Sequence, residues 1–147
     1  MNDIGQGPSI SELVVKTTLN QKFISDVSTP LSILLLQENS GVEPPPPSKT
    51  GEFIRFVVDM VPGSIKNARG VYEKQGIATA QIFTPLGTGY GRATEISTAI
   101  TNSFQDAQWA ENVMQITDVS SQNGFTSGSF YQTNVSISFL CQNNGTD

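Results

Sequence analysis

The sequence predicts an α+β fold, with an antiparallel-rich mixed sheet of about four to five strands, two helices packed on one face and a long protruding β-hairpin. Three observations predict it. Two segments space apolar residues as helices do, others alternate apolar and polar residues as strands do, and Pro/Gly-rich breaks separate them. We expect the 147 residues to form one domain, 1–147, with a flexible arm over 1–8 and a flexible tail over 142–147.

The first helix is predicted over about 10–27. Ser9 and Glu12 fit a capping box, in which a hydroxyl and a carboxylate satisfy each other's backbone amides. The predicted apolar face consists of Ile10, Leu13, Val14, Thr17, Ile24 and Val27, with Phe23 at its edge. Thr29-Pro30 is expected to end the helix, because a residue before proline disfavours the helical conformation.

The next apolar segment, "LSILLLQE", is short and bounded by Pro30 and Gly41. It is typical of a buried strand, with an extension of the helix as the alternative. The following "NSGVEPPPPSKTGE" cannot be regular, because four consecutive prolines supply no amide donors. This run is either a stiff surface connector or a ligand for an SH3-like groove.

A hairpin is predicted from "FIRFVVDMV" and "YEKQGIATAQIFTP". Alternation in the first strand places Ile54, Phe56, Val58 and Met60 on a core face and leaves a mixed second face, which suits partial cover by another chain. In the return strand, Gly76 indicates a bulge or a close approach of another group. The connection "MVPGSIKNARGV" is too long for a tight turn.

The rest of the chain predicts a second helix and two strands. The helix runs from about 91 to 105, with Ala93, Ile96, Ile100 and Phe104 on one face. The glycines at 87, 89 and 91 do not match a phosphate-binding loop, so we interpret them as a turn. "NVMQITDVS" is predicted to be a strand, "SQNGFTSG" a turn, and "FYQTNVSISFLCQ" the cleanest strand of all.

Composition argues against several kinds of chemistry. The chain has no histidine, which removes the commonest general base and metal ligand. The net charge of −5 disfavours a free-standing nucleic-acid binder, and no apolar run is long enough for a membrane helix. The single Cys141 is expected to be packed or idle. We therefore expect no catalytic, cofactor or metal site, although a scattered carboxylate pair of a hydrolase remains a third alternative.

Candidate interface residues lie mainly in the long connection. They are Pro62, Gly63, Ile65, Lys66, Arg69, Gly70, Lys74 and Trp109. The functional interpretation is a contact arm that reaches a neighbouring subunit, with the basic residues Lys66, Arg69 and Lys74 inside or just after the connection. The alternatives are a solvated loop and, for Trp109, a cap over the core.

The order of these elements resembles the tail terminator proteins of tailed bacteriophages, of the lambda type and its relatives. The shared features are a starting helix of about 20 residues, a Pro-rich break before "FIRFVV", and "VPGSIKNARGVYEKQGIATAQIFTPLGTG" leading into a helix. A Phe/Tyr-led final strand completes the pattern, which covers roughly residues 9–141. Low charge content and the "EPPPP" run depart from a generic member.

The resemblance implies a structural virion protein that is not an enzyme. Such proteins form a homo-oligomeric ring, usually of six subunits, that caps the tail tube, ends its polymerisation and offers its other face to the neck or connector protein. DNA would pass through without specific binding, and no membrane or cofactor is involved. The expected location is the virion tail or neck, after assembly in the host cytoplasm. The alternatives are a neck stopper or head–tail completion protein, or a small peptide-binding module.

Overall fold

The computed structural model describes residues 12–37, 51–61, 65–66, 72–87, 91–109, 114–122, 124–128 and 130–143. These residues form one mixed sheet and two helices, so the predicted α+β class is confirmed. The strands are β1 Leu34–Gln37, β2 Phe53–Met60, β3 Ile65–Lys66, β4 Tyr72–Pro85, β5 Gln108–Trp109, β6 Met114–Ser121, β7 Phe125–Ser127 and β8 Phe130–Asn143.

The main order across the sheet is β1-β2-β4-β8-β6-β5, with β3 also beside β4 and β7 beside β8. Strand β1 runs parallel to β2, and every other recorded pairing is antiparallel. The expected four to five strands correspond to the five longer ones. Three strands of two or three residues extend the sheet further, and residue alternation over so short a length gives no signal.

The first helix is longer than predicted and is not uniform. It comprises α1, Glu12–Phe23, a π-helical segment, Ile24–Ser28, and a last α-helical turn, Thr29–Leu31. The expectation that Thr29-Pro30 ends the helix is wrong. Pro30 lies at the start of this last turn, where a missing N–H is tolerated.

The helix ends at Leu31, one residue after Pro30, in a Schellman motif. Ser32 adopts the left-handed conformation, with φ of 56°. Its N–H donates to the Thr29 carbonyl at 3.1 Å, and the Ile33 N–H donates to the Ser28 carbonyl at 3.0 Å. These two bonds satisfy the last carbonyls and turn the chain directly into β1.

The predicted apolar face of the first helix is correct for Val27 and for Phe23 at its edge, and wrong for Val14, Thr17 and Ile24. The side chains of Ile10 and Leu13 lie outside the described residues. The buried residues are Val15, Leu19, Phe23 and Val27, whereas Val14 and Ile24 are more than a third exposed. Neighbouring apolar residues occur at 14–15 and 23–24, so spacing alone allows two faces. Packing decides between them, because the Phe23 ring lies 4.6 Å from Phe56 and 6.1 Å from Phe104, centroid to centroid.

The second helix, α2, spans Gly91–Phe104, and its predicted face is confirmed. Ala93, Ile96, Ile100 and Phe104 are all buried. Both helices cover the same side of the sheet, where they meet alternate residues of the three central strands. On β2 these are Ile54, Phe56 and Val58, and the same core continues across β4 and β8. Met60, also predicted on this face, is partly buried against the core.

Strands β4 and β8 form the centre of the sheet. Each has 14 residues, and they pair without interruption from Tyr72↔Asn143 to Pro85↔Phe130. The predicted bounds of the return strand are therefore confirmed. The expected flexible tail is wrong for residues 142 and 143, because they belong to β8 and pair with β4.

The predicted turn "SQNGFTSG" is only partly a turn. Phe125–Ser127 forms β7, and Ser127 pairs with Phe130, which leaves a two-residue connection. Gly128 there has φ of 59°, a conformation that such hairpin turns favour. The segment before Gly128 is consequently free to pair with β8.

Gly76 marks a close approach, which was one of the two predicted roles. It pairs with Phe139 across the β4–β8 ladder. A Cβ at Gly76 would lie 2.8 Å from Phe139 Cε1 and 2.7 Å from the Asp59 carbonyl oxygen. The Phe139 ring therefore occupies the space that a side chain at residue 76 would need.

The long hairpin stays within the sheet as far as the structure describes it. The Val61 N–H donates to the Gln75 carbonyl at 2.8 Å, and Ile65–Lys66 then pairs with Tyr72–Glu73. Since β8 accompanies β4 down to Tyr72, this base of the hairpin does not project from the sheet. Of the expected protruding connection, Met60 to Val71, residues 62–64 and 67–71 lie outside the described residues.

Candidate functional site

The two faces of the sheet differ in cover. Both helices lie on one side, which we call the helix face. We call the other side of the three central strands the open face, because no described helix covers it. Its residues outside the aromatic end of the sheet are Arg55, Val57, Asp59, Gln75, Ile77, Thr79, Gln81, Asn134, Ser136, Ser138 and Leu140. All of them are half-buried or exposed.

The middle of the open face is polar and weakly charged. Register places Gln81 beside Asn134, and Thr79 beside Ser136. The Gln132 Nε2 donates to Asn134 Oδ1 at 2.9 Å, so these amides bond to each other along β8. Short hydroxyl and amide side chains of this kind form hydrogen bonds with many partners, and they offer a phosphate backbone no cation.

One end of the open face is closed by aromatic rings. Phe53 and Phe83 stack with centroids 4.6 Å apart, and Phe130 meets Phe53 edge-on at 5.2 Å. Leu36 of β1 completes this small cluster, which is separate from the main core. The Arg55 guanidinium lies 5.9 Å from the Phe83 ring centroid, within the range of a cation–π contact.

The opposite end of the open face holds an apolar groove of about 270 Å³. We call it the hairpin groove, because it lies where β2 leads into β3. It is lined by Val61, Gln75, Gly76, Ile77, Thr117, Ser138, Phe139 and Leu140. Val61 is 50% exposed and Ile77 is 45% exposed, so two large aliphatic side chains meet solvent side by side. Apolar groups gathered at one place are a mark of interaction sites.

The interface residues proposed from sequence lie in different places. Ile65 and Lys66 form β3, next to the hairpin groove in the chain. Lys74 is half-buried on β4 and pairs with Cys141. The remaining hairpin candidates, Pro62, Gly63, Arg69 and Gly70, lie outside the described residues.

Trp109 is half-buried at the far side of the sheet. It lies on β5 and packs against the main core. The Lys22 Nζ is 5.9 Å from its ring centroid and 5.7 Å from that of Phe104. These contacts fit a cap over the core, and the structure does not bring Trp109 to the hairpin groove.

Sequence reasoning missed Val61, Ile77 and Leu140 as candidate contact residues. A signal was present, because alternation from the buried Ala78 and Ala80 places Ile77 on the opposite face among polar neighbours. A solvent-facing aliphatic residue becomes a candidate contact residue when other aliphatic residues lie beside it. These neighbours of Ile77 are brought to it by the pairing of β4 with adjacent strands, which the sequence of one strand does not reveal.

Arg92 and Cys141 are ionisable residues whose contacts in the fold explain their shifted pKa values. Arg92 donates from Nε and Nη2 to the Glu52 carboxylate, at 2.6–3.1 Å, and from Nη2 to the Leu31 carbonyl at 3.0 Å. These bonds hold α2 to the segment before β2. Hydrogen bonding to Glu52 also raises the pKa of Arg92. Burial raises the pKa of the Cys141 thiol to about 11, so it is a neutral core residue at physiological pH.

Within the described ranges, His, Cys, Asp and Glu side chains form no group of three or more that could hold a metal ion. The same described residues contain no helix long and apolar enough to cross a bilayer. The expectations of no cofactor and no catalytic centre stay predictions.

Comparison with known proteins defines the fold and not the family. No protein-family profile matches the chain, and no curated protein matches its sequence. One solved structure, which carries no functional name, is similar with a TM-score of 0.64. The similarity covers 86% of this chain and 95% of that one, at 15% sequence identity. At that identity the likeness concerns the fold alone.

Proposed function

We propose that this chain is a structural virion protein that forms a ring, of about six subunits, on the end of a phage tail tube. The ring ends tube polymerisation and presents a docking face to the neck or connector protein. The hairpin groove is the observation that carries the proposal, because it combines exposed aliphatic side chains with the hairpin that the sequence pattern assigns to subunit contact.

The groove is suited to a contact between unlike surfaces. A ring needs a heterologous interface, in which one patch meets a different patch on the next subunit. A concave apolar patch such as Val61–Ile77–Leu140 accepts a convex side chain and is not complementary to itself. Leu86 and Phe125 are large exposed apolar residues elsewhere on the chain and provide such convex groups.

The charge distribution fits a channel through which DNA moves. The chain carries −5 overall, and the polar middle of the open face has few charges. Each cation placed against a phosphate adds salt-dependent affinity, so a surface of hydroxyls and amides lets a duplex pass without being held. The mechanism proposed here is therefore binding between subunits, with no bond made or broken.

The test uses the exposed residues of the groove. In Ile77→Glu the new carboxylate faces solvent in the free chain, so its circular dichroism and Tm are expected to stay close to the wild type. In complementation of a virus lacking the gene, it is expected to give tails of irregular length, or tails without heads. Ile24→Glu, on the exposed side of the first helix, is the matched control and should give normal tails.

A deletion of residues 63–70 tests the hairpin as a contact arm. We expect the remaining chain to fold, since the core clusters of the described part include none of these residues, and tube termination to be lost. Head-joined tails of normal length from this deletion would contradict the arm. Absence of the chain from purified virions would overturn the virion role altogether.

The hairpin groove also supports the second candidate, a small peptide-binding module. A groove of about 270 Å³ holds one or two side chains of a bound segment. The two candidates separate in electron micrographs of tails, because only the ring protein forms a layer between the tube and the neck. A neck stopper or completion protein would occupy a different layer of the same particle.

A further inference from the structure

We propose that the ring closes by strand pairing, in which the outer edge of β1 in one subunit pairs antiparallel with the outer edge of β6 in the next. This inference rests on the proposed ring and specifies which edges meet. It concerns a surface other than the hairpin groove, namely the two sides of the sheet.

Within the described residues, the β1 edge lacks the charges, prolines and bulges that commonly prevent pairing. Leu34–Gln37 ("LLLQ") contains no lysine, no proline and no glycine, and no bulge is recorded in its pairing with β2. No described strand lies on its outer side. Leu34 is 44% exposed, and its pairing with Phe53 places its side chain on the open face. Natural proteins normally protect an edge of this composition, and an unprotected one is a template for another strand.

The β6 edge is open over its second half. Strand β5 pairs only with Met114 and Gln115, and the Ile116 N–H donates to the Ala107 carbonyl at 2.9 Å. Beyond the register shift at 116–118, no described strand lies outside Asp118–Ser121. Asp118, Ser120 and Ser121 are exposed.

Hydrogen-bond direction shows which β6 groups are available. The Gln122 N–H points inward, since it donates to the Asn134 carbonyl of β8 at 2.9 Å. Backbone groups of successive strand residues alternate in direction. Those of Ser121 and Val119 therefore point outward, away from β8, where no described strand pairs with them.

The two edges match in direction and length. β1 and β2 run the same way, and β4, β8 and β6 each reverse direction in turn. Strand β6 is thus antiparallel to β1. A copy moved sideways with its helices on the same side would bring its β1 against β6 in antiparallel orientation, with four residues on each edge. Repetition of this contact is heterologous, and a constant rotation between copies closes it into a ring.

The rival arrangement is a two-fold pairing of β1 with β1. It is also antiparallel, but it uses the β1 edges of both subunits, so this contact stops at a dimer. The β1–β6 pairing leaves one free edge of each kind on every intermediate. The products of cross-linking therefore distinguish the two.

The experiment uses cysteine cross-linking of the full chain assembled on tube ends. Leu34→Cys and Ser120→Cys place two exposed thiols on the same side of the proposed continuous sheet, and Cys141 is fully buried and stays in place. Under mild oxidation the double variant is expected to give a ladder of trimers and larger species. Leu34→Cys combined with Thr98→Cys, on the exposed side of α2, is the control and should give no species above a dimer.

A second variant blocks the edge without cross-linking. Ser121→Pro removes an outward N–H, so the intrachain ladder and the monomer's Tm should be retained while ring formation is lost. Ser121→Thr keeps the N–H and should assemble as the wild type does.

Four outcomes would overturn the edge pairing. Rings of Ser121→Pro, or rings that form without any ladder from the double variant, refute it and leave the proposed ring function standing. Efficient dimers from Leu34→Cys alone would show the two-fold arrangement instead. If the wild-type chain forms no ring on tube ends under any of these conditions, both the pairing and the proposed function fail.

Discussion

The helix face and the open face of the sheet are made by the same strands, yet they obey different constraints. On the helix face, residues from six elements converge into one core, and side chains such as Ile82 and Ile137 are fully buried. On the open face, an aromatic cluster closes one end, a polar ladder fills the middle and an aliphatic groove occupies the other end. One face determines that the chain folds, and the other is free to determine what it contacts.

The largest expected effect comes from placing a carboxylate on the helix face instead of the open face. Ile137→Asp places a carboxylate in the fully buried core, which should cost about 4 kcal/mol or more and abolish the cooperative unfolding transition. Ser136→Asp makes the same addition one residue away, on the open face. It should shift the denaturant midpoint only slightly. Equal loss of stability in both variants would contradict the difference between the faces.

A second test compares adjacent residues of the first helix. Phe23→Ala removes a ring that packs against Phe56 and Phe104, and it should lower the free energy of unfolding by about 3–5 kcal/mol. Ile24→Ala, at a position 38% exposed, should cost about 1 kcal/mol or less. Urea unfolding of both variants measures the ratio. A larger loss of stability from Ile24→Ala than from Phe23→Ala would support the apolar face of the first helix that was inferred from sequence.

A third test concerns the close contact between Gly76 of β4 and Phe139 of the neighbouring strand β8. Gly76→Ala directs a methyl group into the Phe139 ring and the Asp59 carbonyl, so it should destabilise the chain by about 1–3 kcal/mol. Gly91→Ala has open space around its Cβ and starts α2, where alanine should be neutral or stabilising. Thermal unfolding of the pair separates local crowding from a general effect of replacing glycine.

The smallest expected effect is acid dependence. Hydrogen bonds from Lys22, and then from Ser103, hold the pKa of Asp26 below its usual value. A depressed carboxyl pKa contributes stability above the unfolded pKa of about 3.8, and this contribution is lost as pH falls through the folded pKa. Asp26→Asn should therefore lose less stability than the wild type between pH 5 and about pH 2. Identical pH profiles would remove any role for this link between the helices.

Some elements were predictable because a single strand or helix carries its own signal. The face of α2 and the bounds of β4 follow from spacing, since each residue there faces either the core or solvent. The face of the first helix does not, because Val14 and Val15 are both apolar. The packing of Phe23 on Phe56 and Phe104 selects the face on which Val15 is buried. The π-helical segment before Pro30 has no residue pattern that apolar spacing would detect.

The candidate site was likewise only partly predictable from the sequence. The sequence pointed to the hairpin because its connection is long and partly basic. Ile65 and Lys66 of that connection form β3, and their role in subunit contact stays a prediction. The sequence did not reveal that Val61, Ile77 and Leu140 come together, because they lie on three different strands. A surface assembled across strands depends on register, and register is fixed by the core on the opposite face.

The central claim is that this chain acts by forming a closed ring with copies of itself on the tip of a tail tube. Electron microscopy of purified tails, with three-dimensional reconstruction of the tube end, tests it most directly. The account predicts a single ring of this chain between the last tube layer and the neck, with the open hairpin grooves occupied by neighbouring subunits. A tube end that carries no copy of this chain, or isolated copies that do not touch one another, would contradict it.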